Sequence, residues 1–217
     1  MAINTFATLV TAATEWLARD QDATLVARIP DFITLFEAKV NRTLFTPQME
    51  KRSTADVDTN SDEPEFVSLP DDYQTMRRIR LSSVAGKPPL SFLSGTQIDT
   101  RRNDYLNITG QPTHYTIVGT EIELFPTPND DYTIEMVYRA NISALSASNV
   151  GNWLLDLAPD LYLYGALLES APYIKEDGRI QTWASGVASA LEALNLLGAR
   201  QSFDAGPSEI TLPGNTP

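Results

Sequence analysis

The sequence lacks several residue types that functional sites commonly use. It has no cysteine and a single histidine, His114, among 217 residues. Without cysteine the chain can form no disulfide, no thiolate metal site and no cysteine nucleophile. One imidazole leaves only carboxylates as further metal ligands, which does not suit zinc. His114 would have to serve any Ser-His-Asp triad, and because no G-x-S-x-G motif accompanies it, we interpret it as a structural histidine in a strand.

Basic residues and long apolar runs are also scarce. The chain carries 16 basic and 28 acidic residues, which give a net charge of -12 and a sequence pI of about 4.4. A surface of this charge repels phosphate, so tight DNA binding by bulk electrostatics is not expected. No run reaches about 18 apolar residues, and the first residues do not form a secretory signal. We expect a soluble protein of cytoplasmic origin with no membrane partner.

The composition, 42% hydrophobic and 20% charged, is typical of a folded chain. Hydrophobic periodicity predicts a helical hairpin over 1–47, a β-rich insert over 48–140 and further helices over 141–200 that pack with the first hairpin. Glycine and proline predict an extended C-terminal arm over 201–217. The predicted fold class is therefore α+β, a helical bundle with an inserted antiparallel β-rich domain of sandwich or barrel type.

The insert alternates runs rich in β-branched and aromatic residues with turn residues. Its predicted strands cover 51–57, 65–69, 76–82, 114–118, 121–125 and 132–138, with a short helix over 95–103. In the C-terminal zone, we predict a helix that breaks at Pro172 and a second helix over 175–200.

One acidic segment deserves comparison with a calcium-binding loop. Residues 56–65 place oxygen-bearing side chains at alternate positions, as such a loop does. However, Ser61 stands where the loop requires glycine, and Val67 stands where it requires a bidentate glutamate. We interpret the segment as an acidic hairpin connection and predict no metal site.

Two groups of arginines are candidate interaction residues. Arg77, Arg78 and Arg80 lie on one predicted strand, and Arg101 and Arg102 follow the short helix. They could contact phosphates or an acidic partner, but in so acidic a chain a solvated face or ion pairs between subunits is favoured. We find no phosphate-binding loop and no distinctive pair of carboxylates. The sequence thus predicts no catalytic residue, no cofactor and no enzymatic activity.

Several stretches resemble the head-to-tail adaptor proteins of tailed bacteriophages, also called connector or head-completion proteins. The longest is W-L-L-D-L-A-P-D-L-Y-L-Y-G-A-L-L-E-S-A-P-Y at 153–173, followed by D-G-R at 177–179 and by Trp183. The runs V-S-L-P-D-D-Y at 67–73 and G-Q-P-T-H-Y at 110–115 resemble the β region of that family. The resemblance spans nearly the whole chain and consists of packing residues rather than a catalytic motif.

The resemblance implies a structural virion protein made in the host cytoplasm and located in the neck. It implies a ring, usually of twelve subunits, that binds the portal ring and meets tail or nozzle proteins. Such a ring extends the channel through which double-stranded DNA passes without sequence-specific binding.

Within this interpretation, Glu209, Ile210, Thr211 and Leu212 are candidates for an arm that binds the portal or a neighbouring subunit, and a disordered tail is the alternative. For the function, a tail-completion or tail-tube component and a carboxylate-based hydrolase remain as alternatives.

Overall fold

The computed structural model describes residues 2–84, 86, 88–105, 108–175 and 178–203. The chain divides into two compact units. A helical unit combines Met1–Gln48 with Ile142–Pro217, and a β unit consists of Met49–Asn141.

The described part of the chain contains seven α-helices and seven β-strands. The helices are α1 (Phe6–Trp16), α2 (Ala23–Val26), α3 (Ile29–Thr43), α4 (Gly95–Asp104), α5 (Trp153–Leu157), α6 (Pro159–Ile174) and α7 (Ile180–Phe203). The strands are β1 (Glu50–Val57), β2 (Phe66–Ser68), β3 (Tyr73–Leu81), β4 (Ser91–Phe92), β5 (His114–Val118), β6 (Glu121–Phe125) and β7 (Tyr132–Ala140). Helix α4 and all the strands belong to the β unit, and the other helices form the helical unit.

The helical unit packs around α6. This helix is apolar on several sides, and Leu161, Tyr162 and Leu167 within it are fully buried. The ring of Phe36 in α3 meets the ring of Tyr162 edge to face, with 5.9 Å between the centroids. A Cβ atom at Gly165 would overlap the Phe36 ring. The close approach of α3 to α6 therefore requires a glycine at this position.

A buried polar network ties α3 and α6 to the segment between β7 and α5. The hydroxyl of Tyr162 donates to Oε1 of Glu37 at 2.9 Å and accepts from Nδ2 of Asn152 at 2.7 Å. The amide of Leu145 also donates to Glu37 Oε1, at 3.0 Å. Asn152 caps α5, because its Oδ1 accepts from the amide of Leu155 at 2.8 Å. Desolvation raises the pKa of Glu37, although its hydrogen bonds oppose that shift.

Several boundaries in the helical unit differ from those predicted. Helix α6 does not break at Pro172 but continues to Ile174, and it ends at Lys175 in the left-handed conformation (φ 56°). Helix α7 begins at Ile180 rather than at residue 175. The predicted arm begins too early, since residues 201–203 continue α7 as helix. The rest of that predicted arm lies outside the described residues.

The β unit contains two sheets. In the three-stranded sheet the order is β1-β7-β3, and all pairs are antiparallel. In the four-stranded sheet the order is β2-β6-β5-β4, and β4 pairs with β5 in parallel. The buried side chains of both sheets form a single core, which includes Val57, Ile79, Met136, Val67, Tyr115 and Ile122.

The α+β class is as predicted, but the prediction of an antiparallel insert of sandwich or barrel type needs correction in two respects. The four-stranded sheet is mixed, since β4 is parallel to its neighbour. The described strands form no closed barrel, because β1 and β3 end one sheet while β2 and β4 end the other. β4 escaped prediction because a two-residue strand leaves no periodic pattern. Strands β5 and β6 have the predicted bounds, and Gly119 between them adopts a φ of +61°.

We predict that Gly165→Ala destabilises the helical unit by about 1–3 kcal/mol, as is usual when a closely packed core must accept an extra carbon. The Phe36 ring that would meet the new Cβ is only 2% exposed and has little room to move. Urea denaturation measures the loss. Gly151→Ala is the control in the same unit, because its Cβ would meet only the Asn4 carbonyl oxygen, at 3.8 Å. Equal stability of Gly165→Ala and wild type would contradict the prediction.

Candidate interaction surface

The three-stranded sheet of the β unit has an inner and an outer face. Ile134, Met136 and Tyr138 of the central strand β7 belong to the core. Because successive side chains of a strand point to opposite faces, Glu135 and Arg139 lie on the outer face. The residues that stand opposite them on β1 and β3 share that face.

Three arginines converge on the carboxylate of Glu135. Nε of Arg52, on β1, donates to Glu135 Oε2 at 2.7 Å, and Nε of Arg80, on β3, donates to Oε1 at 2.7 Å. Nη2 of Arg78 lies 3.8 Å from Oε1. The ion pairs therefore span the central strand and join it to both of its neighbours.

The carboxylate is buried while the arginines remain accessible. The Glu135 side chain is 2% exposed, whereas those of Arg52, Arg78 and Arg80 are 68%, 50% and 45% exposed. The hydrogen bond from Arg80 lowers the pKa of Glu135, burial opposes this, and Arg52 lowers it further. The same contact raises the pKa of Arg80. Glu135 is thus ionised at neutral pH, and the arginines cover it from solvent.

A second ion pair spans β7 further along the sheet. Nε of Arg77 lies 3.2 Å from Glu50 Oε1, and Glu50 stands opposite Arg139 in the register. We call the exposed side chains of Arg52, Arg77, Arg78 and Arg80 the arginine face. Together with Arg139, Glu50, Asp56 and Glu135, the outer face carries five basic and three acidic residues, a net charge of +2.

The other two predicted arginines do not join this face. Arg102, on α4, donates from Nε to Glu123 at 3.0 Å, from Nη1 to Thr127 Oγ1 at 3.0 Å and from Nη2 to the Leu124 carbonyl at 3.1 Å. These bonds fasten α4 to β6 and to the turn after it. Arg102 is therefore a packing residue of the β unit.

Arg101 contacts His114, the first residue of β5. Nη1 of Arg101 lies 3.3 Å from His114 Nε2, and Nδ1 of the same ring lies 2.8 Å from Thr113 Oγ1. A guanidinium can only donate, so Nε2 accepts and the proton sits on Nδ1. Burial, then the Arg101 charge, lowers the pKa of His114. The ring is neutral at pH 7, which fits the structural role predicted for it.

A family model described as SU10 adaptor protein matches residues 4–211. The chain belongs to the SU10 adaptor protein family. The match extends through both compact units and agrees with the resemblance that the sequence shows to phage adaptors. It is consistent with a structural adaptor of a bacteriophage. No curated protein matches the chain.

The remaining predictions concern metal binding, membrane crossing and the C-terminal arm. Among the described residues, no three His, Asp or Glu side chains are grouped as metal ligands. In the acidic segment 56–65, Oδ1 of Asp58 accepts from the backbone amide of Asn60 at 2.8 Å, and Asp131 accepts from Thr59. Within the same described ranges, no helix combines the length and apolar character needed to cross a membrane. The predicted arm residues Glu209, Ile210, Thr211 and Leu212 lie outside the described residues.

Sequence reasoning missed the two residues that organise the arginine face, Arg52 and Glu135. The alternation of Ile134, Met136 and Tyr138 was the available signal, because it places Glu135 on the face opposite the core. The pairing of the strands could not be predicted, because β7 is far from both β1 and β3 in sequence. Only that pairing shows that Arg52 and Arg80 share one carboxylate.

We predict that Glu135→Gln destabilises the β unit at neutral pH and that the effect disappears in acid. The folded pKa of Glu135 lies below its ordinary value of 4.5, so the ionised side chain stabilises the fold above about that pH and the contribution is lost as the pH falls through the folded pKa. Urea denaturation of wild type and variant between about pH 3 and pH 7 measures the difference.

The control for this prediction is Glu50→Gln. Glu50 also pairs with an arginine across β7, but its side chain is 42% exposed, so its loss should cost no more than about 1 kcal/mol. A stability difference for Glu135→Gln that stays constant down to about pH 3 would contradict the account of this carboxylate.

Proposed function

We propose that this protein forms a head-to-tail adaptor ring that binds the portal, joins it to the tail and extends the DNA channel. The observation that carries the proposal is the family match over residues 4–211, which includes the helical unit and the β unit alike. An adaptor of this kind performs no covalent chemistry, and we propose no enzymatic activity for the chain.

The packing of the helical unit is suited to a framework that transmits mechanical load within a ring. Phe36 packs onto Tyr162, and the hydroxyl of Tyr162 lies in a buried network with Glu37 and Asn152. Closely packed interiors resist deformation, and the hydrogen bonds to Glu37 Oε1 link α3 to α6 and to the segment between β7 and α5. This packing supports a framework role for α3 and α6 in the ring.

The proposed partners follow from the position of an adaptor in the neck of the virion. They are the portal ring, tail or nozzle proteins, and further copies of the chain in a ring of about twelve subunits. We propose that the chain is made in the host cytoplasm and that double-stranded DNA passes through the ring without sequence-specific binding. The net charge of -12 supports passage, because an acidic surface does not hold DNA by counterion release.

Two groups of residues have proposed roles in assembly. The segment Glu209, Ile210, Thr211 and Leu212 is proposed as an extended arm that binds the portal or a neighbour. The arginines of β3 are proposed as interface residues between subunits. Arg101 and Arg102 are proposed as further ion-pair or interface residues; within one copy Arg102 pairs with Glu123 and Arg101 contacts His114.

Electron microscopy of the chain mixed with the portal protein of the same phage tests the proposed function. We expect a closed ring stacked on the portal. A variant that ends at residue 203, and so lacks the proposed arm, should bind the portal more weakly, by about tenfold or more. Chain and portal that stay separate while the portal ring is intact would contradict the proposal, and binding to isolated tails instead would indicate a tail-completion protein.

A further inference from the structure

Charge is unevenly distributed over the β unit. The outer face of the three-stranded sheet holds five basic and three acidic residues, whereas the rest of residues 49–141 holds four basic and twelve acidic ones. The net charge is therefore +2 on this face and -8 elsewhere in the unit. A basic patch in so acidic a chain attracts an acidic partner.

The arginine face is arranged to receive such a partner. Glu135 engages Arg52 and Arg80 through Nε, and a guanidinium carries further N–H donors on its two Nη atoms. The carboxylate of Glu135 holds these arginine side chains in place. This reduces the conformational entropy that they lose when they bind a carboxylate of a partner. Arg78, at 3.8 Å from Glu135 and 50% exposed, is the most loosely held of the three.

The same unit presents a complementary acidic surface at one end of the three-stranded sheet, beyond the last residue of β1 and before the first of β7. We call it the acidic end; it comprises the exposed residues Asp58, Asp62, Glu63, Asp130 and Asp131. Backbone N and Oγ1 of Thr59 both donate to Asp131 Oδ1, at 3.0 and 2.7 Å, and so join the two loops. No lysine or arginine occurs between residues 53 and 76 or between 103 and 138.

We propose that the arginine face of one copy binds the acidic end of a second copy. A contact of either surface with its own counterpart would place like charges opposite each other, so the favoured contact joins the two different surfaces. In a ring of the kind proposed above, that contact is made head to tail. Repetition of such a contact produces a ring or a filament. The inference rests on the proposed function in that it names the residues through which subunits of an adaptor ring would meet.

A second copy fits the arginine face better than a nucleic acid does. DNA would gain attraction from four arginines, but its charged backbone would continue beyond this face over the rest of the β unit, whose net charge is -8. The acidic end of a second copy brings five carboxylates on two short loops. It can meet the arginine face without the phosphate backbone that DNA would extend over the rest of the chain.

Sedimentation velocity of the full chain over a range of concentrations tests the proposal. We expect association at low salt that weakens towards about 0.15 M salt. Arg78→Glu should weaken it by about tenfold or more. Arg19→Glu is the matched control, because Arg19 is also 50% exposed and lies 3.9 Å from its acidic partner, Asp22, in the helical unit. It should leave association unchanged.

A second test exchanges charges between the acidic end and the arginine face. Asp62→Lys with Glu63→Lys should weaken association as Arg78→Glu does, and all three substitutions in one chain should recover part of it, because the carboxylate introduced at position 78 can pair with the ammonium groups introduced at positions 62 and 63. Thermal melting checks that each variant is folded. Arg78→Ala replaces Arg78→Glu if the reversed charge beside Glu135 prevents folding, and should weaken association in the same direction.

The proposal would be overturned by a wild-type chain that stays monomeric at every concentration, by Arg78 variants that associate as wild type does, or by a triple variant that associates no better than the variants it combines. Binding of a short DNA duplex by wild type, lost in Arg78→Glu but not in Arg19→Glu, would also overturn it in favour of a nucleic-acid surface. Portal binding by Arg78→Glu, measured by microscopy, separates failure of this contact from failure of the adaptor function.

Discussion

The buried carboxylate of Glu135 is the interaction on which the outer face of the β unit depends. It lies at the middle of the central strand, and Nε atoms of Arg52 and Arg80 reach it from the two flanking strands. Without its charge, three arginines would repel one another over a short distance. The negative charge of Glu135 holds the three arginines in place while they remain accessible to solvent. A single acidic residue therefore lets a chain of net charge -12 display a basic surface.

The helical unit depends on a different constraint, which is the close approach of α3 to α6. Gly165 admits the ring of Phe36, and the hydroxyl of Tyr162 links Glu37 to Asn152. Burial raises the pKa of Glu37, a shift often seen in active sites. Here its Oε1 accepts from the Leu145 amide and the Tyr162 hydroxyl, so the group fixes the segment between β7 and α5. The chain thus contains two apolar cores. The core of the helical unit encloses a polar network, and the β unit carries its ion pairs on the outer face of one sheet.

Local pattern predicted the elements of this fold better than their assembly. The alternation in β5 and β6, with glycine at the turn between them, was enough to place both strands to the residue. Pro172 suggested a break that does not occur there, since α6 continues for two residues beyond it, to Ile174. The order β1-β7-β3 could not be read from the sequence, since it joins strands far apart in the chain. For the same reason Arg77, Arg78 and Arg80 were recognisable as a basic strand, whereas Glu135, which Arg78 and Arg80 share with Arg52, was not.

The arginine face and the acidic end of the β unit carry opposite charges, and we propose that they join copies of the chain head to tail. Cysteine cross-linking tests it directly, because the chain has no cysteine of its own. Thr75→Cys on the outer face and Ser61→Cys in the loop of the acidic end lie about 20 Å apart along the sheet, too far to pair within one copy. Treatment of the double variant with a short bis-maleimide should produce a ladder of dimers, trimers and longer species, whereas either single variant should not. A double variant that gives only monomers, or dimers equal to those of the single variants, would contradict the head-to-tail contact.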